Sequence, residues 1–117
     1  MSELTGIVRF KFHPGKVEEF KRLSAECMEI VRAKDTGTLQ YDTFFNADES
    51  EAIVIERYRD ADALMEHGAN MAPMMDAILA TGDCYGELLG DLPSELRHNF
   101  ADEGPVQLFM PYAALTG

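Results

Sequence analysis

The sequence predicts an α+β domain: one antiparallel sheet with two helices packed on the same face. Three observations predict it. Apolar residues alternate with period two over residues 4–12, 38–46 and 52–59. They recur at three and four over residues 16–34 and again beyond residue 60. Only "ADESE" separates the second and third strand-like segments, which leaves room for a hairpin loop and nothing larger.

Taken in order, "LTGIVRFKF" sends Val8, Phe10 and Phe12 to one side and Thr5, Arg9 and Lys11 to the other, the pattern of a half-buried strand. "HPG" at 13–15 breaks it. The helix over 16–34 carries Val17, Phe20, Leu23, Cys27, Ile30 and Val31 on its apolar stripe. Gly37 is the expected stop. "TLQYDTFFN" and "AIVIERYR" form the hairpin. If it is symmetric about Asp48-Glu49, Leu39, Tyr41, Thr43 and Phe45 share a face with Val54, Glu56 and Tyr58. Phe44, Ile53 and Ile55 then lie on the reverse with Gln40, Asp42 and Arg57.

A second helix follows, capped by Asp60 or Asp62. Pro73 is expected to break it and open a further segment to about Ala80. A fourth strand falls within 81–92, a short helix over 93–104, and a last strand over 105–113 that Pro111 confines to an edge. The first six elements give the split βαβ, ferredoxin-like order β-α-β-β-α-β. The apolar reverse face of the sheet calls for a second sheet against it, and a homodimer is the simplest way to supply one.

The 117 residues make one domain, and 46% hydrophobic content is that of a globular chain. A net charge of −11 repels phosphate backbones and anionic lipid, so nucleic-acid and membrane-surface roles are not expected. Cys27 and Cys84 form no C-x-x-C pair. With no signal-peptide pattern in "MSELTGIVRF", they point to a soluble cytoplasmic protein. There is no phosphate-binding glycine loop, no dinucleotide fingerprint and no metal spacing among His13, His67 and His98.

His67 is the anomaly. It lies three residues after Leu64 and four before Met71, on the apolar stripe of the second helix. One reading is a core-edge histidine satisfied by a carbonyl. The other is an imidazole aimed into a cavity of roughly 300 Å³ or more between helix and sheet, where it takes a proton near neutral pH. Asn70 could reach the same place. Met71 and Met75 could wall a pocket for a flat ligand, and Tyr41 and Tyr58 could line it from the strands. Glu56, in mid-strand, needs a partner if buried, and His67 is a candidate.

"VRFKFHPGKVEEFKRL" and "GTLQYDTFFNADESEAIVIERYRDADALMEHGAN" resemble the antibiotic biosynthesis monooxygenase family, which includes quinol monooxygenases. The marks are the Pro-Gly after strand one, Gly37, Tyr41, Glu56 followed two residues on by an aromatic, the helix entry from Asp60 to Leu64, and His67. The resemblance covers about residues 4–90 of the single domain 1–117 and leaves 91–117 as an extension. It implies a dimeric α+β barrel. It also implies oxygenation of a small hydroxylated aromatic or quinol by O₂ without flavin, haem or metal. His67 would then be the base or orienter, with Asn70, Tyr41, Tyr58 and Glu56 as substrate contacts and Met71 and Met75 as walls. The chain has no tryptophan, and Tyr58 stands where the family usually has one. His67 and Ala77 occupy the positions that a haem-degrading branch fills with Trp and His, which disfavours that chemistry. The alternative is a non-catalytic dimer that binds a small ligand or serves a pathway enzyme.

Overall fold

A computed structural model describes residues 2–100 and 105–116. The elements are β1 (Leu4–Phe12), α1 (Val17–Lys34), β2 (Thr38–Phe45), β3 (Glu51–Tyr58), α2 (Ala61–Leu79), β4 (Gly82–Leu89), a 3₁₀ turn (Ser94–Asn99) and β5 (Val106–Phe109). The strands form one sheet in the order β2-β3-β1-β4-β5. The first four are antiparallel, in the ferredoxin-like arrangement, and β5 adds to the β4 edge in parallel. Part of the helix expected over 93–104 lies outside the described residues.

The hairpin pairs Phe45 with Ala52, Thr43 with Val54 and Tyr41 with Glu56, the register that symmetry about Asp48-Glu49 requires. The loop is held locally. Asn46 Oδ1 accepts from the Glu51 amide at 2.9 Å, and Asp48 Oδ1 accepts from the Ser50 amide at 3.0 Å. Leu39 departs from the expected face. A register shift between Thr38 and Gln40 leaves it opposite no partner, and it is exposed.

The helices cover the sheet face that carries Phe10, Ala52 and Val54. There Phe20, Leu23 and Cys27 of α1 meet Met71 and Ile78 of α2. Phe20 packs between Phe10 and Phe12 at ring separations of 4.9 and 4.7 Å. Burying a ring of that size contributes roughly 2–3 kcal/mol. Charge assists α1, with Glu18 and Glu19 in its first turn and Arg32 and Lys34 in its last.

Two expectations about the helices are corrected. Helix α2 is continuous through Pro73. The missing N–H falls on the exposed side of a helix whose buried side is anchored by Met71 before the proline and Ile78 after it, and packing outweighs the lost bond. Helix α1 ends at Lys34, and the capping residue is Asp35 in extended conformation, not Gly37. Gly37 is required for close approach instead: a Cβ there would sit 2.5 Å from that of Ala63.

The other sheet face is uncovered. It carries half-buried Ile7, Ile53 and Ile55 together with Phe44, Tyr85 and Phe109, each at least two-fifths exposed. A second cluster of Leu4, Tyr58, Ala63, Leu88 and Leu92 lies at the end of the sheet where α2 begins. Among the described residues no helix is long and apolar enough to cross a membrane.

Candidate active site

Asp60 starts the helix that carries the site. Its side chain accepts from the Ala63 amide at 2.9 Å. From there Ala63, His67 and Met71 follow at intervals of four and face the sheet. His67 is therefore on the buried stripe and only 7% exposed.

Two tyrosines enclose the imidazole. Tyr41 and Tyr58 lie with ring centroids 5.5 and 5.3 Å from it, both tilted by 53°. Glu56 comes from the same sheet face, paired across the strands with Tyr41 on one side and Gly6 on the other. Because position 6 is glycine, no β1 side chain covers the carboxylate. The Tyr58 hydroxyl donates to Glu56 Oε1. His67 Nε2 faces the same oxygen at 3.7 Å.

The dominant partner of His67 is Asp35, which sequence reasoning missed. Nδ1 lies 2.7 Å from Asp35 Oδ2. Thr38 Oγ1 donates to the same oxygen at 2.7 Å, and Asn70 Nδ2 donates to Oδ1 at 2.7 Å. A signal existed in the sequence. An aspartate directly after a helix C-terminus opposes the helix dipole, and Thr38 three residues on is a natural hydroxyl partner.

Electrostatics separates the two carboxyls. Burial pushes Asp35 up, but the bonds from Asn70, Thr38 and His67 outweigh it and hold the group below the ordinary aspartate value. Burial also pushes Glu56 up, and there the nearby His67 and the Tyr58 hydroxyl only partly offset it. Burial raises both tyrosines, so Tyr41 and Tyr58 stay protonated and act as neutral hydroxyls. Asp35 and Glu56 flank opposite nitrogens of one ring, so the three cannot close on a single metal ion. Chemically, the arrangement sets an oriented imidazole nitrogen 3.7 Å from a carboxyl whose burial favours its protonated form.

The predicted wall residues separate. Met71 is 5% exposed and packed in the phenylalanine core, whereas Met75 is 40% exposed. The buried stripe continues from Met71 through Met74 to Ile78, which turns position 75 outward. Nor does His67 border the open space expected beside it. Two adjoining clefts, of about 620 and about 400 Å³, run between α1 and β2 and share Met28, Tyr41 and Asp42 in their walls. Tyr41 lines both and presents its ring to His67.

The sequence matches the family described as "Antibiotic biosynthesis monooxygenase" over residues 4–73. No curated protein matches it. Among solved structures, MupZ from Pseudomonas fluorescens superposes with a TM-score of 0.80 at 22% identity, over 98% of this chain and 94% of that one. Rv0793 from Mycobacterium tuberculosis gives 0.68 at 25% identity, over 79% of this chain and 97% of its own. SnoaB, a cofactor-independent oxygenase from Streptomyces nogalater, gives 0.67 at 22% identity, over 75% of this chain and 91% of that chain. The likeness to MupZ and SnoaB is one of fold. Over more than half its length, including Asp35, Glu56 and His67, the chain matches and belongs to the antibiotic biosynthesis monooxygenase family.

Proposed function

We propose that the protein is a cofactor-independent monooxygenase acting on a small hydroxylated aromatic or quinol, in a homodimer. The observation that carries this reading is the buried imidazole, held by Asp35 at one nitrogen and facing Glu56 at the other. Family membership supports the reaction class. The substrate's hydroxyl loses its proton to the site, and the electron-rich anion reacts with O₂ directly. One oxygen atom enters the ring and the other leaves as water, with the two electrons needed drawn from the substrate. The protein supplies a base, aromatic walls and shelter from bulk water. His67 is the base. Tyr41 reaches from the clefts to the imidazole and offers its hydroxyl to the ligand, while Tyr58 and Asn70 act through Glu56 and Asp35. The uncovered apolar sheet face supports pairing of two copies back to back.

The test is oxygen uptake with a panel of quinols and hydroxylated aromatics. His67→Ala should lower it by about tenfold or more, with circular dichroism and oligomeric state unchanged. Uptake indifferent to that substitution removes His67 from the chemistry.

A second reading draws on the clefts, which lie beside Tyr41 and away from His67. Phe44, Phe45 and Met28 there suit a small apolar ligand carried without reaction. Ligand binding with no turnover, alike in air and under anaerobic conditions, favours that role.

A further inference from the structure

Asp35 decides which nitrogen of His67 is available. Its side chain is 1% exposed and accepts from Thr38 and Asn70 as well as facing the ring. A carboxylate so supplied with donors is ionised, and an ionised carboxylate only accepts. The Nδ1 that sits 2.7 Å from Oδ2 must therefore carry a hydrogen. A neutral imidazole has one N–H, so its lone pair is left on Nε2, the atom turned toward Glu56.

The groups around the ring come from every element packed on it. Asp35 follows α1, and Cys27 on α1 lies beside Tyr41. Thr38 and Tyr41 come from β2, Glu56 and Tyr58 from β3, and Asn70 from α2. The tyrosines and Cys27 are held protonated by burial. Among the described residues, no lysine or arginine bonds Asp35 or Glu56. Proton exchange is thus confined to the pair His67 and Glu56, in a setting of negative charge that disfavours carboxylate or phosphate ligands.

We propose that Asp35 is a positioning residue: it fixes His67 as the Nδ1–H tautomer and leaves Nε2, turned toward Glu56 Oε1, as the nitrogen that takes up a proton and shares it with that carboxyl. The substrate's proton reaches Nε2 from the clefts past Tyr41: the substrate O–H bond breaks, an Nε2–H bond forms, and the electron pair stays on the substrate oxygen. Asp35 balances the imidazolium charge. The Nε2 to Oε1 gap of 3.7 Å is longer than a hydrogen bond, so the handover needs the two side chains to close by under an ångström. This rests on the proton-abstraction step proposed above, but its signature exists without substrate.

The experiment is long-range ¹H–¹⁵N correlation on the full-length protein labelled in histidine, with His67→Gln used to assign the signals among His13, His67 and His98. With the imidazole neutral, His67 should show a protonated Nδ1 and a pyridine-like Nε2. Asn70→Ala should preserve that pattern. Asp35→Asn should move it toward Nε2–H, because the amide can turn its NH₂ to Nδ1. In any substrate found by oxygen uptake, Asp35→Asn should lower kcat by roughly 10²-fold with KM little changed. An Nε2–H tautomer in the wild type overturns the proposal without any variant being needed. So does an unchanged spectrum in folded Asp35→Asn. An Nδ1–H wild type that consumes no oxygen with any quinol counts against the oxygenase reading while upholding the role of Asp35.

Discussion

Asp35 and His67 stand 32 positions apart in the chain and meet at 2.7 Å. One closes α1 and the other faces inward from the second turn of α2. Each would be costly alone: the aspartate is an acid at the negative end of a helix, and the imidazole is a polar ring on an apolar stripe. Together, with Thr38 and Asn70, they satisfy each other.

The first prediction concerns acid stability. Asp35 titrates below its unfolded value, so its ionised bonds stabilise the fold above that value and are lost as pH falls through the lower, folded one. Asp35→Asn should cost about 1–3 kcal/mol at pH 7. The gap to wild type should shrink as pH falls below the unfolded value of 3.8. Urea titrations across that range measure it, and a gap constant down to pH 2 would contradict the assigned ionisation.

Glu56 has the opposite sign. Its folded value is raised, so the folded state holds the proton more tightly. The resulting stability is full below the unfolded value of 4.5 and is lost as pH rises through the folded value. Glu56→Gln keeps an acceptor for Tyr58 and removes the titration. It should match wild type at pH 4 and melt higher, by a few degrees on the order expected for about 1 kcal/mol, at pH 8. Thermal melts at the two pH values decide.

Dimerisation is expected to use the sheet face opposite the helices. Ile55→Lys puts a charge at its middle strand pair, against Ile7 on β1. Light scattering coupled to gel filtration should show monomer, with the helical signal retained. A dimer of unchanged affinity would place the interface elsewhere.

Two glycines should respond in opposite directions. At Gly82 a Cβ would collide with the Lys11 carbonyl and the Phe12 Cα, both backbone, so Gly82→Ala must push β4 off β1. Gly68 lies inside α2, exposed, with nothing within 4 Å of a Cβ. Gly68→Ala should stabilise by about 0.5–1 kcal/mol. Chemical denaturation of the pair gives both signs in one experiment.

The sheet was legible because its information is local. Alternation in "LTGIVRFKF" and a short polar loop centred on Asp48-Glu49 fix which residues face the helices, and Glu56 falls opposite Tyr41 as that symmetry demands. His67 announced itself by breaking an apolar stripe. Asp35 did not, because its partners lie in other elements, Thr38 in β2 and His67 and Asn70 in α2, and no periodicity ties position 35 to them. The pairing of His67 with Glu56 was half right: the two face each other, but the close bond goes to Asp35. Pro73 misled because local preference predicts a break, while the contacts of Met71 and Ile78 that keep the helix continuous are tertiary. Met75 was misplaced by one step of helical drift.

The placement of Asp35 at the tip of α1 has a mechanical corollary. The clefts are walled by α1 on one side, through Lys21, Ser24, Ala25 and Met28, and by β2 on the other. Asp35, which grips the imidazole, stands at the C-terminal end of that same helix. That 2.7 Å bond ties the C-terminal end of α1 to α2, so sliding one helix past the other by an ångström would break it.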